Sequence, residues 1–210
     1  MTGLTSNPTI FHQAIKGSSA YDASIRAKLG EGKSGEALFL DLAQEDLRQA
    51  ADLFKPIHER TAGVDGWVSL EVSPLLAYDT KTTLAQAREL HARAGRRNLF
   101  IKIPGTKEGV PAIEEAIFSG VPINVTLLFS ARAVSRVART LTCAASSGGI
   151  AAGLSADVPS VASIFVSRWD VAVAGKVPAA LANRLGVADR PARATRPIAS
   201  SWHRRGSSVR

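Results

Sequence analysis

The sequence predicts an α/β fold built on parallel strands, and three observations predict it. Four short apolar runs recur along the 210 residues, at 67–73, 99–104, 122–129 and 160–167, after a shorter strand-end segment at 3–7. The longer runs are nearly continuous in apolar side chains, as strands covered by neighbours are. Between them lie stretches whose apolar residues return every three or four positions. Strands alternating with helices in this way indicate a parallel sheet with helices on its outer face.

The elements follow in order. The first run reads as a strand end, followed by helices. Phe39, Ala43, Leu47, Ala50 and Phe54 keep helical spacing, with Asp41, Glu45, Asp46 and Arg48 among the intervening positions. After the run 67–73, Leu84, Ala87, Leu90 and Ala94 repeat that spacing. A helix around 109–118 follows the run 99–104, introduced by Gly109 and Pro111. The segment after 130 is a weaker helical signal, and a last helix is expected over 170–183. No internal repeat is evident.

Alternation along the runs places polar groups on one face. Glu71 goes with Ser69 and Ser73, Asn124 with Thr126, and Ser163 with Ser167. Inward polar residues on consecutive strands favour a closed barrel over an open sheet. In a (β/α)8 barrel the reacting groups gather at the C-terminal ends of the strands. Five strand signals are too few to close eight, and such barrels run to about 250 residues. The expectation is therefore an incomplete (β/α)8 barrel or another fold.

Lys102 stands amid Leu99, Phe100, Ile101 and Ile103. Burying a lysine costs several kcal/mol unless it is paired or neutral. A neutral lysine amine attacks carbonyl carbons and forms Schiff bases, so Lys102 is the first candidate for covalent chemistry. Two plainer readings compete: a strand-end lysine whose ammonium reaches water, and a structural Lys102–Glu71 ion pair. In the catalytic reading Glu71 moves protons through a water, and Thr126 positions that water. Asn7, Asn124 and Ser163 hydrogen-bond a polyhydroxy substrate. Arg168, following Ser167 at a strand end, offers a bidentate fork to phosphate.

Composition narrows the class. An apolar fraction of 45% is enough for a sizeable core. The single cysteine, Cys143, excludes an internal disulfide and receives no role. Neither a secretory signal nor an apolar run of bilayer length is visible, which fits a cytoplasmic protein with no membrane partner. The net charge of +8 invites a nucleic-acid reading. Its location argues against one. Arg132, Arg136 and Arg139 fall within 131–149 without an acid, and seven arginines face only Asp189 within 184–210. The rest of the chain is near neutral. The stretches 131–149 and 188–210 are poor in acids and rich in Ala, Arg, Ser or Gly, as out-of-frame readings of a GC-rich gene would be. A peptide from 131–149 found in the purified protein, with the frame confirmed in the gene, would exclude that origin. The tail 188–210 has no periodicity and is expected to be disordered. Gly32-Lys33-Ser34 mimics the end of a phosphate loop, but Ala27 stands where its first glycine belongs. The four histidines show no metal-ligand spacing.

Five segments together carry a resemblance. They are 3–11 (GLTSNPTIF), 65–74 (DGWVSLEVSP), 98–106 (NLFIKIPGT), 123–130 (INVTLLFS) and 163–168 (SIFVSR). In this order they resemble transaldolase, over roughly 3–130 and 150–187. The resemblance implies a (β/α)8 barrel and a Schiff-base transfer that needs neither cofactor nor metal. A dihydroxyacetone unit would pass from sedoheptulose 7-phosphate to glyceraldehyde 3-phosphate, in the pentose phosphate pathway. It makes Lys102 the Schiff-base lysine, Glu71 the proton relay and Thr126 the residue orienting the water. Asn7, Asn124 and Ser163 would bind the dihydroxyacetone unit, and Arg168 a substrate phosphate. The family also has an earlier strand, with an acid/base aspartate, and two later strands; none of these has a counterpart in this sequence. A shorter fructose-6-phosphate-type aldolase, an inactive fragment and a basic nucleic-acid binder are the alternatives, the last ranked lowest.

Overall fold

The computed structural model describes residues 1–143 and 158–165, together with 168, 171, 172 and 176. The tail 188–210 and nearly all of the helix expected over 170–183 lie outside the described residues. The chain divides into two compact units, Met1–Lys102 and Ile103–Arg210.

The first unit holds three parallel strands, β1 (Gly3–Thr5), β2 (Trp67–Glu71) and β3 (Leu99–Pro104), the last running across the boundary. Register pairs Thr5 with Ser69 and Glu71 with Lys102. Four helices accompany them: α1 (Pro8–Gly17), α2 (Asp22–Gly30), α3 (Gly35–Arg60) and α4 (Thr80–Ala94). Their ends follow from local chemistry. Asn7 caps α1, its Oδ1 accepting from the Ile10 N–H at 2.9 Å, and Pro8 opens the first turn. Asp79 caps α4 in the same way through Thr82, and Gly95, at φ 58°, closes it in the left-handed conformation that glycine tolerates. Leu42, Leu47 and Ala51 of α3 and Ala87, Leu90 and Ala94 of α4 are buried with Val68, Leu70, Leu99 and Ile101 of the strands. Asn98 ties this layer together, its buried amide donating to the carbonyls of Ala51 (2.8 Å) and Gly66 (2.9 Å).

The predicted α3 pattern is correct for Ala43 and Leu47, but its intervening polar positions do not all face solvent. Asp41 is buried and bridges Lys33 and Arg93, and Gln44 donates to the Leu90 carbonyl at 2.9 Å. Periodicity assigns polar residues to solvent, and partners brought from other segments are invisible to it. Ser73 also departs from expectation. The strand ends at Glu71, and the Ser73 hydroxyl instead accepts from the Leu75 N–H at 3.3 Å in a short 3-10 turn.

Among the described residues, the second unit holds two parallel strands, β4 (Ile123–Leu128) and β5 (Ser160–Ile164), with α5 (Gly109–Phe118) and α6 (Ala131–Cys143). The Thr106 hydroxyl accepts from the Gly109 N–H at 2.9 Å where α5 begins. The segment after 130 is thus helical through 143, with Val137 buried and Arg132 and Arg136 exposed. The ladder between β4 and β5 shifts register between Val125 and Leu128, and Leu127 there takes a positive φ of 58°. That bulge sits directly after Thr126.

Candidate active site

Strand register brings the two principal candidates of the first unit face to face. Glu71 and Lys102 are direct partners across β2 and β3, so their side chains leave the same side of the sheet. Lys102 is only 5% exposed, and its Nζ lies 3.3 Å from Glu71 Oε2. Its neighbours along the strand, Leu99, Ile101 and Ile103, are fully buried. The amine also donates to the Ser6 carbonyl at 3.2 Å. Lys102 is therefore enclosed and paired, rather than reaching water from the strand end.

A structural ion pair would show the same distance. The state of the acid bears on which reading applies. Burial pushes the Glu71 carboxyl above its ordinary value, and the charge and hydrogen bond of Lys102 only partly pull it back. A carboxyl held this way takes up and releases protons nearer neutrality than an ordinary glutamate. Beside an amine, it can carry a proton to and from a departing hydroxyl.

Asn7 lies two residues past the end of β1, which stops short of the strand end expected over 3–7, and the Asn7 Oδ1 is engaged as the α1 cap. A cleft of about 550 Å³ between α1, α2 and α3 is lined by residues such as Tyr21, Glu45 and Asp46 and by none of the predicted site residues. Ser6 was not anticipated. Its only sequence signal is its place inside the strand-end segment 3–11, since a carbonyl contact leaves no side-chain signature.

In the second unit, Asn124 and Ser163 meet across β4 and β5, the serine hydroxyl donating to Asn124 Oδ1 at 2.8 Å. Thr126 shares the Asn124 face two residues on. It is 1% exposed, and its hydroxyl has no hydrogen-bond partner among the described residues. Arg168 is exposed, with its guanidinium carbon 5.5 Å from the Phe165 ring centroid. Ser167 lies outside the described residues. Among the described residues no group of three or more His, Cys, Asp or Glu side chains could hold a metal ion, and no helix is long and apolar enough to cross a membrane.

A family model described as Transaldolase/Fructose-6-phosphate aldolase matches residues 1–200. The chain belongs to that family. Its fold class is accordingly the family's (β/α)8 barrel, of which the described residues show five parallel strands. Curated relatives of this transaldolase-family chain include "Transaldolase" of Trichodesmium erythraeum, 42% identical over 176 residues, covering 83% of this chain and 46% of the relative. "Transaldolase 2" of a Nostoc species is 40% identical over 86% of this chain and 47% of the relative. "Transaldolase" of Thermobifida fusca is 44% identical over 82% of this chain and 47% of the relative. The chain therefore spans about half the length of the curated relatives it matches.

Proposed function

We propose that this chain carries the imine-forming machinery of a transaldolase, with Lys102 as nucleophile. The observation that carries this reading is the buried Lys102–Glu71 pair, set in register on β2 and β3 of a transaldolase-family chain. The Lys102 amine adds to the ketose carbonyl of sedoheptulose 7-phosphate to give a carbinolamine. Glu71 delivers a proton to the departing hydroxyl, through a water oriented by Thr126, and an iminium with water as product results. Cleavage of the C3–C4 bond then releases erythrose 4-phosphate as the C4 hydroxyl gives up its proton to a base. The bonding electrons pass into the iminium and leave an enamine on Lys102. Addition of the enamine carbon to the aldehyde of glyceraldehyde 3-phosphate, followed by hydrolysis, gives fructose 6-phosphate and free lysine. The resemblance assigns that proton to an aspartate on an earlier strand, which is not among these 210 residues. Asn124, Ser163 and the Asn7 amide bind the dihydroxyacetone hydroxyls, and Arg168 a phosphate. The setting is sugar-phosphate metabolism in the pentose phosphate pathway, in the cytoplasm, without cofactor or metal.

Borohydride trapping with fructose 6-phosphate, read by peptide mass, tests the reading. An adduct on Lys102 is expected, and it is absent from Lys102→Ala. A three-carbon adduct means that carbon–carbon cleavage occurs; a six-carbon adduct means that imine formation proceeds without it. No adduct on soluble wild-type chain, or one that persists in Lys102→Ala, overturns the assignment.

A further inference from the structure

Lys102 has two acceptors, and they differ in kind. Glu71 Oε2 is a titrating carboxylate at 3.3 Å, and the Ser6 carbonyl, at 3.2 Å, does not titrate. Ser6 is 4% exposed and immediately follows β1. Its own hydroxyl donates to the Ser69 carbonyl at 2.7 Å. One residue therefore grips β2 with its side chain and β3's lysine with its main chain. Between β1 and α1 the chain has only Ser6 and Asn7. The Asn7 side chain caps the helix, so the Ser6 hydroxyl is what clips this turn to the sheet.

The consequence lies in the geometry of a neutral amine. Its nitrogen carries one carbon, two hydrogens and a lone pair. When both hydrogens are committed to acceptors, the lone pair has one direction left. A carbonyl can hold a hydrogen of either the ammonium or the amine, so it keeps the orientation after the proton has gone. A second carboxylate in its place would favour the charged, non-nucleophilic form instead. We propose that Ser6 is a positioning residue: its hydroxyl, anchored on the Ser69 carbonyl, holds the Ser6 carbonyl against Lys102 and so aims the lone pair of the amine. The idea rests on Lys102 being the nucleophile of the proposed reaction, and it assigns Ser6 no contact with substrate.

The test uses the whole chain and two probes. The first is trace acetylation by acetic anhydride, with Lys102 labelling measured by peptide mass relative to Lys107 in the same sample. The second is the rate of borohydride-trapped imine formation with dihydroxyacetone. In Ser6→Ala both are expected to fall about tenfold, the scale on which misdirection of a reacting group acts. The half-saturating dihydroxyacetone concentration stays near the wild-type value, because Ser6 is not a binding group. Ser6→Thr, which keeps the hydroxyl, recovers most of both rates. Ser6→Cys keeps the volume with a weak donor and replaces Ser6→Ala if that variant does not fold; the same fall is expected. Wild-type labelling in the variant without the hydroxyl overturns the proposal, as does a Ser6→Thr as slow as Ser6→Ala. If wild type forms no dihydroxyacetone adduct while the acetylation pattern holds, the proposed activity is wrong, and Ser6 orients the amine without serving that reaction.

Discussion

Two carboxylates in the first unit, buried Asp41 in the helical layer and half-buried Glu71 on the strand face, shift in opposite directions although burial pushes both up. For Asp41, burial pushes the carboxyl up, but hydrogen bonds and charges from Lys33 and Arg93 outweigh it and hold the group below the usual range. For Glu71, burial also pushes up, and Lys102 offsets only part of the rise. The difference is in the partners. Asp41 is held by two cations whose side chains remain 38% and 42% exposed, so neither gives up much hydration. Glu71 has one, itself only 7% exposed. A carboxylate with two half-solvated cations is fixed as an anion and works as a strut. One with a single buried cation keeps part of the rise that burial imposes, and so takes up a proton more readily than Asp41 does.

Removing the cations tests this contrast most severely. The double variant Lys33→Ala/Arg93→Ala leaves Asp41 buried without a partner. It is expected to lower the unfolding free energy by about 3 kcal/mol, at the low end of the range for stranding a buried charge. Urea denaturation of the variant and wild type measures it. Lys102→Met strands Glu71, but burial already raises the Glu71 pKa, so its neutral form is easier to reach than that of Asp41. The expected loss is about 1 kcal/mol, the scale of the hydrogen bonds given up. Equal losses in the two experiments would erase the distinction between the two carboxylates.

The same contrast appears in pH dependence, with opposite signs. Asp41 has a folded pKa below its ordinary 3.8, so it binds fewer protons folded than unfolded. Its stabilisation is complete above that ordinary value and is lost as pH falls through the folded one. Glu71 has a folded pKa above its ordinary 4.5, so it binds more protons folded than unfolded. Its contribution is present below the ordinary value and is lost as pH rises through the folded one. Urea midpoints followed from acid to neutral pH should show the wild-type advantage over Asp41→Asn growing with pH. The advantage over Glu71→Gln should shrink across the window just above ordinary glutamate titration. Parallel slopes for the two variants would contradict both signs.

These two acids also mark what the sequence alone could deliver. Alternation along 67–73 and 99–104 put Glu71 and Lys102 on strand faces, and parallel pairing then made them neighbours. Local period and fold class together were enough for that site. Asp41 shows in the sequence only as a polar position between the apolar ones of a helix, because its partners come from the turn before α3 and from α4, eight and 52 residues away. Ser6 was missed for a related reason: its carbonyl is common to every residue, so its contact with Lys102 has no composition or spacing to reveal it. Periodicity records which way a residue points, and long-range polar partnerships are set by the packing that follows.

The mildest test separates the direction of a pKa from its worth in stability. Asp52 also lies below the usual carboxylate range, chiefly through its hydrogen bonds to Arg96 at 2.7 and 2.8 Å. Judged by direction alone it would resemble Asp41. It is exposed, however, and an exposed pair gains little over its hydration and is screened by salt. Asp52→Asn is therefore expected to leave the melting temperature within measurement scatter, and any small loss at low ionic strength should vanish on adding salt. A loss comparable to that of Lys33→Ala/Arg93→Ala would mean that direction, rather than burial, sets the contribution. The strut reading of Asp41 would then lose its physical basis, because solvent exclusion around the carboxylate is what makes its two cations matter.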